Sequence, residues 1–157
     1  MAMNPPDEEG PFVTAALLCE KVLIEQDGVK SAIRIVDRVI HQPVGVNPPD
    51  AMQPFTHMLT LLVSLKAGWI RGSRAIEIRM VKPTGESSQV GNPTVFFEGE
   101  DDRGVDLVIQ LLMNVERPGL YWFHVNFEGR TLSRIPLRVI YVPQTIQLPP
   151  PPGGSNP

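Results

Sequence analysis

The chain has 157 residues, a net charge of -3, 42% hydrophobic residues and a single cysteine. That length and apolar content suit one globular domain with a real core and exclude a disordered chain. The mild negative charge gives no electrostatic reason to expect nucleic acid or anionic membranes as partners. One cysteine, Cys19, excludes an intramolecular disulfide.

The N-terminal stretch MAMNPPDEEGPF has neither a basic start nor an apolar run, so it does not read as a secretory signal. With no apolar run of membrane-spanning length, a cytoplasmic location is expected. Residues 1–11, with Pro5, Pro6, Pro11 and three acids, are expected to be a disordered segment. The domain is expected over 12–143.

AALLCEKVLIEQ fits helical spacing loosely, but Asp27-Gly28 and the β-branched run VKSAIRIVDRVI follow it. An Asp-Gly between apolar runs signals a hairpin, so two strands are expected here rather than a helix. The proline-rich loop HQPVGVNPPDAMQP then breaks the chain. From Phe55 the pattern has period two: Phe55, His57, Leu59, Leu61, Val63 and Leu65 alternate with mostly polar residues. Ile76, Ile78 and Met80 repeat it, and Val95 and Phe97 mark a short strand. From Val105 the odd residues are apolar, while Val108 and Leu112 on the other face suggest partial cover. Two more alternating runs follow, Tyr121 to Phe127 and Ile135 to Tyr141.

About seven to nine strands with no long helical pattern between them predict an all-β, antiparallel sandwich or barrel. The tail 144–157, QTIQLPPPPGGSNP, is expected to be flexible and unpaired, with polyproline II over Pro149–Pro152.

Parity sets the register of the last hairpin. A plain two-residue turn at Glu128-Gly129 would put Arg134 opposite Phe123 on the core face. A three-residue loop or a bulge near Gly129 instead pairs Phe123 with Ile135 and Tyr121 with Leu137. Pro136 has no amide hydrogen, so an edge is expected there.

In ERPGLYWFHVNFEGRTLSRIPLRVIYV, Pro118-Gly119 forms a turn and Tyr121 opens the next strand. This resembles the tyrosine corner of immunoglobulin-like domains, with Phe123 standing where the second disulfide cysteine would be. The wider pattern, ALLCEKVLIEQDGVKSAIRIVDRV through GLYWFHVNFEGRTLSRIPLRVIY, resembles a family of small uncharacterised bacterial proteins carrying a domain of unknown function. The resemblance implies a bacterial cytosolic protein with an immunoglobulin-like sandwich, and implies no activity and no functional residues.

Two clusters are site-like. Glu98, Glu100, Asp101, Asp102 and Asp106 supply hard oxygen ligands that suit calcium, but without the spacing of a known metal motif. The outer face of the last hairpin carries Trp122, His124, Arg134 and Arg138, an aromatic and arginine mixture typical of protein interfaces. His41, His57 and His124 lie far apart and form no zinc spacing, and Cys19 sits in an apolar run that favours burial. No nucleophile pattern, phosphate loop or CxxC is present. The expectation is a non-enzymatic module without cofactor that binds a protein partner or itself, with a calcium-dependent module through residues 98–106 as the alternative.

Overall fold

The computed structural model describes residues 9–152. Among these there is no helix, and there are thirteen strands in place of the seven to nine expected. In chain order they are β1 (Phe12–Ile24), β2 (Lys30–Ile35), β3 (Arg38–His41), β4 (Val44–Gly45), β5 (Phe55–Lys66), β6 (Gly72–Ala75) and β7 (Glu77–Val81). They continue with β8 (Ser87–Gly91), β9 (Thr94–Phe97), β10 (Gly104–Val115), β11 (Gly119–Phe127), β12 (Arg130–Tyr141) and β13 (Gln144–Thr145).

Two main sheets share one core. The first has four strands in the order β10-β5-β1-β2, the second five in the order β3-β12-β11-β7-β8. Leu61, Val63 and Leu111 from the first pack in the same cluster as Ile78, Phe123 and Leu137 from the second. The odd-numbered apolar residues of β5, β10 and β11 point into this core. Their even-numbered neighbours form the outer faces, as a period of two requires.

The segments on either side of Asp27-Gly28 are strands, Phe12–Ile24 and Lys30–Ile35, as that dipeptide suggested. Glu25 and Val29 bracket the turn, with the Glu25 amide donating to the Val29 carbonyl at 2.8 Å. The run VKSAIRIVDRVI, however, is two strands and not one. β2 pairs with β1, and after a break at Val36-Asp37 the chain enters the other sheet as β3. Arg34, with a φ of 54°, marks the bend in this run.

Pairing is not wholly antiparallel. β3 runs parallel to β12, and β13 parallel to β4. The second pairing corrects the boundary drawn at residue 143: Gln144 and Thr145 form a strand because Val44-Gly45 offers them free backbone groups. The N-terminal boundary shifts as well, since Arg130 donates to the Gly10 carbonyl at 2.7 Å and the Trp69 amide to that of Glu9 at 3.1 Å. The expected disorder of residues 1–8, and the flexibility of residues 153–157, fall outside the described residues.

The last hairpin has the expected register, Phe123 to Ile135 and Tyr121 to Leu137. The turn at Glu128-Gly129 has two residues, with φ values of 46° and 78°, the pairing of signs found in a type I′ turn. Parity is restored by a bulge further along, where Val125 pairs with Ser133 and Asn126 with Thr131, leaving Leu132 as the extra residue. Tyr121 donates its hydroxyl to the Arg117 carbonyl at 2.9 Å, as in a tyrosine corner. β3 pairs with β12 only over Arg138–Tyr141, so at Pro136 β12 has a ladder on its β11 side alone among the described residues.

Candidate interaction surface

Strand parity places Trp122 and His124 on the outer face of the five-stranded sheet, because Tyr121, Phe123 and Val125 take the core. Register then sets their neighbours. Trp122 lies between Pro136 of β12 and Val81 of β7, and His124 between Arg134 and Arg79. Arg138 stands opposite Leu120 at the end of the same row. The four hairpin residues singled out from sequence are therefore on one surface. Trp122 and His124 are half-buried, and Arg134 and Arg138 are exposed.

The surface is cationic. Arg79 is braced by Ser87 Oγ at 3.0 Å and lies 3.7 Å from Glu77. Among the described residues, neither Arg134 nor Arg138 has a carboxylate within ion-pair distance. Burial pushes the His124 imidazole below its ordinary pKa, and the charge of Arg134 adds to that shift. The row thus carries guanidinium groups beside a partly buried imidazole and an indole.

An open cleft of about 700 Å³ adjoins this face, lined among others by Arg74, Glu77, Arg79, Asn126 and Thr131. Its polar groups engage one another: Asn126 donates to Glu77 at 3.2 Å, and Thr131 to Asn126 at 2.9 Å. Sequence reading missed Arg79 as a site residue. Its alternation with Ile78 and Met80 puts it on an outer face, but nothing in the sequence says that β7 is the neighbour of β11.

The acidic cluster is divided. Glu100, Asp101 and Asp102 line an open pocket together with Arg71, whose guanidinium pairs with Asp101 at 3.0 Å. Asp106 sits on β10, bonded to Ser64 and to Lys30, the latter at 2.9 Å. These partners hold the Asp106 carboxyl below its ordinary pKa, the Ser64 hydrogen bond contributing most. Among the described residues no group of three His, Cys, Asp or Glu side chains is placed to hold a metal ion.

Two of the three histidines share an aromatic neighbour, and the third stands apart. His41 stacks on Phe55 at 4.1 Å and His57 meets the same ring edge-on at 6.4 Å, far from His124 in the fold's pairing. Cys19 is fully buried, and desolvation raises its thiol pKa.

The opposite sheet differs in kind. Its outer face exposes Leu112 to 69%, Ile35 to 64% and Met58 to 59%. The cover that Val108 and Leu112 suggested is therefore absent among the described residues, and Val108 is 40% exposed.

The model of a family of unknown function, DUF6941, matches residues 14–140. No curated protein matches the chain. Among solved structures, a beta-glucosidase from Listeria innocua in complex with isofagomine aligns with a TM-score of 0.41 and 9% identity, over 85% of this chain and 17% of that one. The same enzyme in complex with glucose aligns with a TM-score of 0.41 and 11% identity, over 82% and 16%. The chain thus spans about a sixth of that enzyme's length.

Proposed function

The chain belongs to the DUF6941 family, whose function is unknown, and from that premise we propose that it is a non-enzymatic protein-interaction module. Its fold is read as an immunoglobulin-like sandwich, supported by the two main sheets around one core and by the bond from Tyr121 to the Arg117 carbonyl. A cytoplasmic setting belongs to the same reading, supported by the single buried thiol.

The observation that carries the reading is the row of Trp122, Arg134, Arg138 and Arg79 on one outer face, with Arg134 and Arg138 lacking carboxylate partners among the described residues. Guanidinium groups bind carboxylates with paired, charge-assisted hydrogen bonds, and a half-buried tryptophan is a typical anchor. The fitting partner is a protein segment rich in Asp and Glu.

The test uses a labelled poly-glutamate peptide at low salt. Wild type binds it, added salt weakens the complex, and Arg134→Glu with Arg138→Glu weakens it by about tenfold or more. Trp122→Ala weakens it as well. Binding that ignores the charge reversal overturns the reading, as does no binding. Equal affinity for a single-stranded oligonucleotide would move the reading to nucleic acid.

A further inference from the structure

The ends of the two main sheets differ in how they are protected. β8 has five residues, β3 has four, and β2 has six with Arg34 bent to a positive φ. β10 has twelve residues and pairs with β5 along its whole length without a bulge. It contains no proline and no basic residue, and its one charge, Asp106, is held by Lys30 and Ser64. β9 comes near β10 but makes no ladder with it among the described residues. Proteins ordinarily blunt an edge with short length, bulges, lysines or prolines, because free backbone groups template another strand. β10 has none of these devices. It also borders an apolar crevice of about 230 Å³ between the sheets, lined by Met80, Val90, Leu111 and Phe123 among others.

The sequence of β10 says what fits beside it. Read outward from Gln110, its outer face is nearly palindromic: Val108 mirrors Leu112 and Asp106 mirrors Asn114. Its core face mirrors in the same way, Ile109 against Leu111 and Leu107 against Met113. We propose that two copies of this chain associate edge to edge through β10, antiparallel, about a two-fold axis at Gln110. Each Val108 then meets Leu112 of the second copy, and each Asp106 meets its Asn114. A shift of the axis to Ile109 or Leu111 sets apolar residues against polar ones, so side-chain matching selects this register. The pairing joins two four-stranded sheets into one and covers both crevices. It uses the sheet opposite the arginine face, so it stands or falls separately from the acidic-partner reading.

Sedimentation of the full chain from micromolar to millimolar concentration tests this. The mass should move toward that of a dimer. Asn114→Lys should tighten the dimer by facing Asp106, and Asn114→Asp should loosen it, each by about threefold or more. Gln110→Cys should cross-link two chains under mild oxidation, since its thiols meet at the axis, while Leu112→Cys should not. A chain that stays monomeric overturns the proposal. So does a dimer indifferent to both changes at Asn114, or one that cross-links equally through Leu112→Cys.

Discussion

Asp106 illustrates how a single residue reads differently in sequence and in structure. In sequence it belongs to an acidic run that suits a cation. In the fold its carboxylate accepts from Ser64 Oγ on the adjacent strand β5 and from Lys30 Nζ at the start of β2. Both partners favour the charged form, so the folded-state pKa lies below that of the unfolded chain. The linkage sign follows. The unfolded state takes up its proton first as pH falls, so the stabilisation is complete above the ordinary carboxylate range, about pH 4, and is lost below it. Asp106→Asn should therefore be less stable than wild type at neutral pH, and the two should converge as pH falls through and below that range. Urea melts across the acid range check this, and a pH-independent difference would contradict it. Because the side chain is about one-third exposed, the effect is modest.

At the scale of the element, the β11–β12 hairpin shows how one extra residue sets which side chains reach the core. Leu132 is the bulged residue, and beyond it Ile135, Leu137 and Val139 face inward. Deleting Ser133 lets Leu132 take its place opposite Val125 and keeps every pair from His124–Arg134 onward. That variant should fold, with stability within about 1 kcal/mol of wild type. Deleting Ile135 with the bulge kept turns Leu137 and Val139 outward and Arg138 inward, and deleting it with the bulge lost sets Arg134 opposite Phe123 in the core. Each lost core side chain costs about 2–5 kcal/mol, against a total stability of about 5–15 kcal/mol, so this variant should not fold. Circular dichroism and denaturant midpoints separate the two, and equal stability would refute the role of the bulge. The need for such a device was legible, because Phe123 and Ile135 have the wrong parity for a two-residue turn. Its position was not, since a bulge three residues beyond Gly129 serves parity as well as one beside it. The long alternating strands β5, β10, β11 and β12 were legible for the same reason: each has one buried face. β6 and β8, with the sequences GSRA and SSQVG, were not, because they bury little and carry no apolar period. The split of β2 from β3 was hidden because both halves are rich in β-branched residues. Of the candidate surface, the hairpin half could be read from parity alone. Arg79 needed the sheet order, which one sequence does not state.

At the scale of the whole molecule, the two main sheets turn chemically opposite faces outward. The five-stranded sheet offers Trp122 among arginines, whereas the four-stranded sheet exposes Met58, Leu112 and Ile35. The shared core lies between them and is filled by inward side chains of both sheets, Leu61 and Phe123 among them. No ladder joins the two sheets among the described residues. The two outer faces are separated by that shared core, and distant sites without shared partners behave additively to within about 0.5 kcal/mol. Arg134→Glu should weaken binding of an acidic peptide and leave self-association through β10 unchanged. Asn114→Asp should do the reverse. The double variant should show both losses at their single-variant sizes, measured by peptide titration and sedimentation on the same samples. Loss of self-association in Arg134→Glu would mean that the arginine face lies inside the interface between copies, and the separation of roles between the sheets would be wrong.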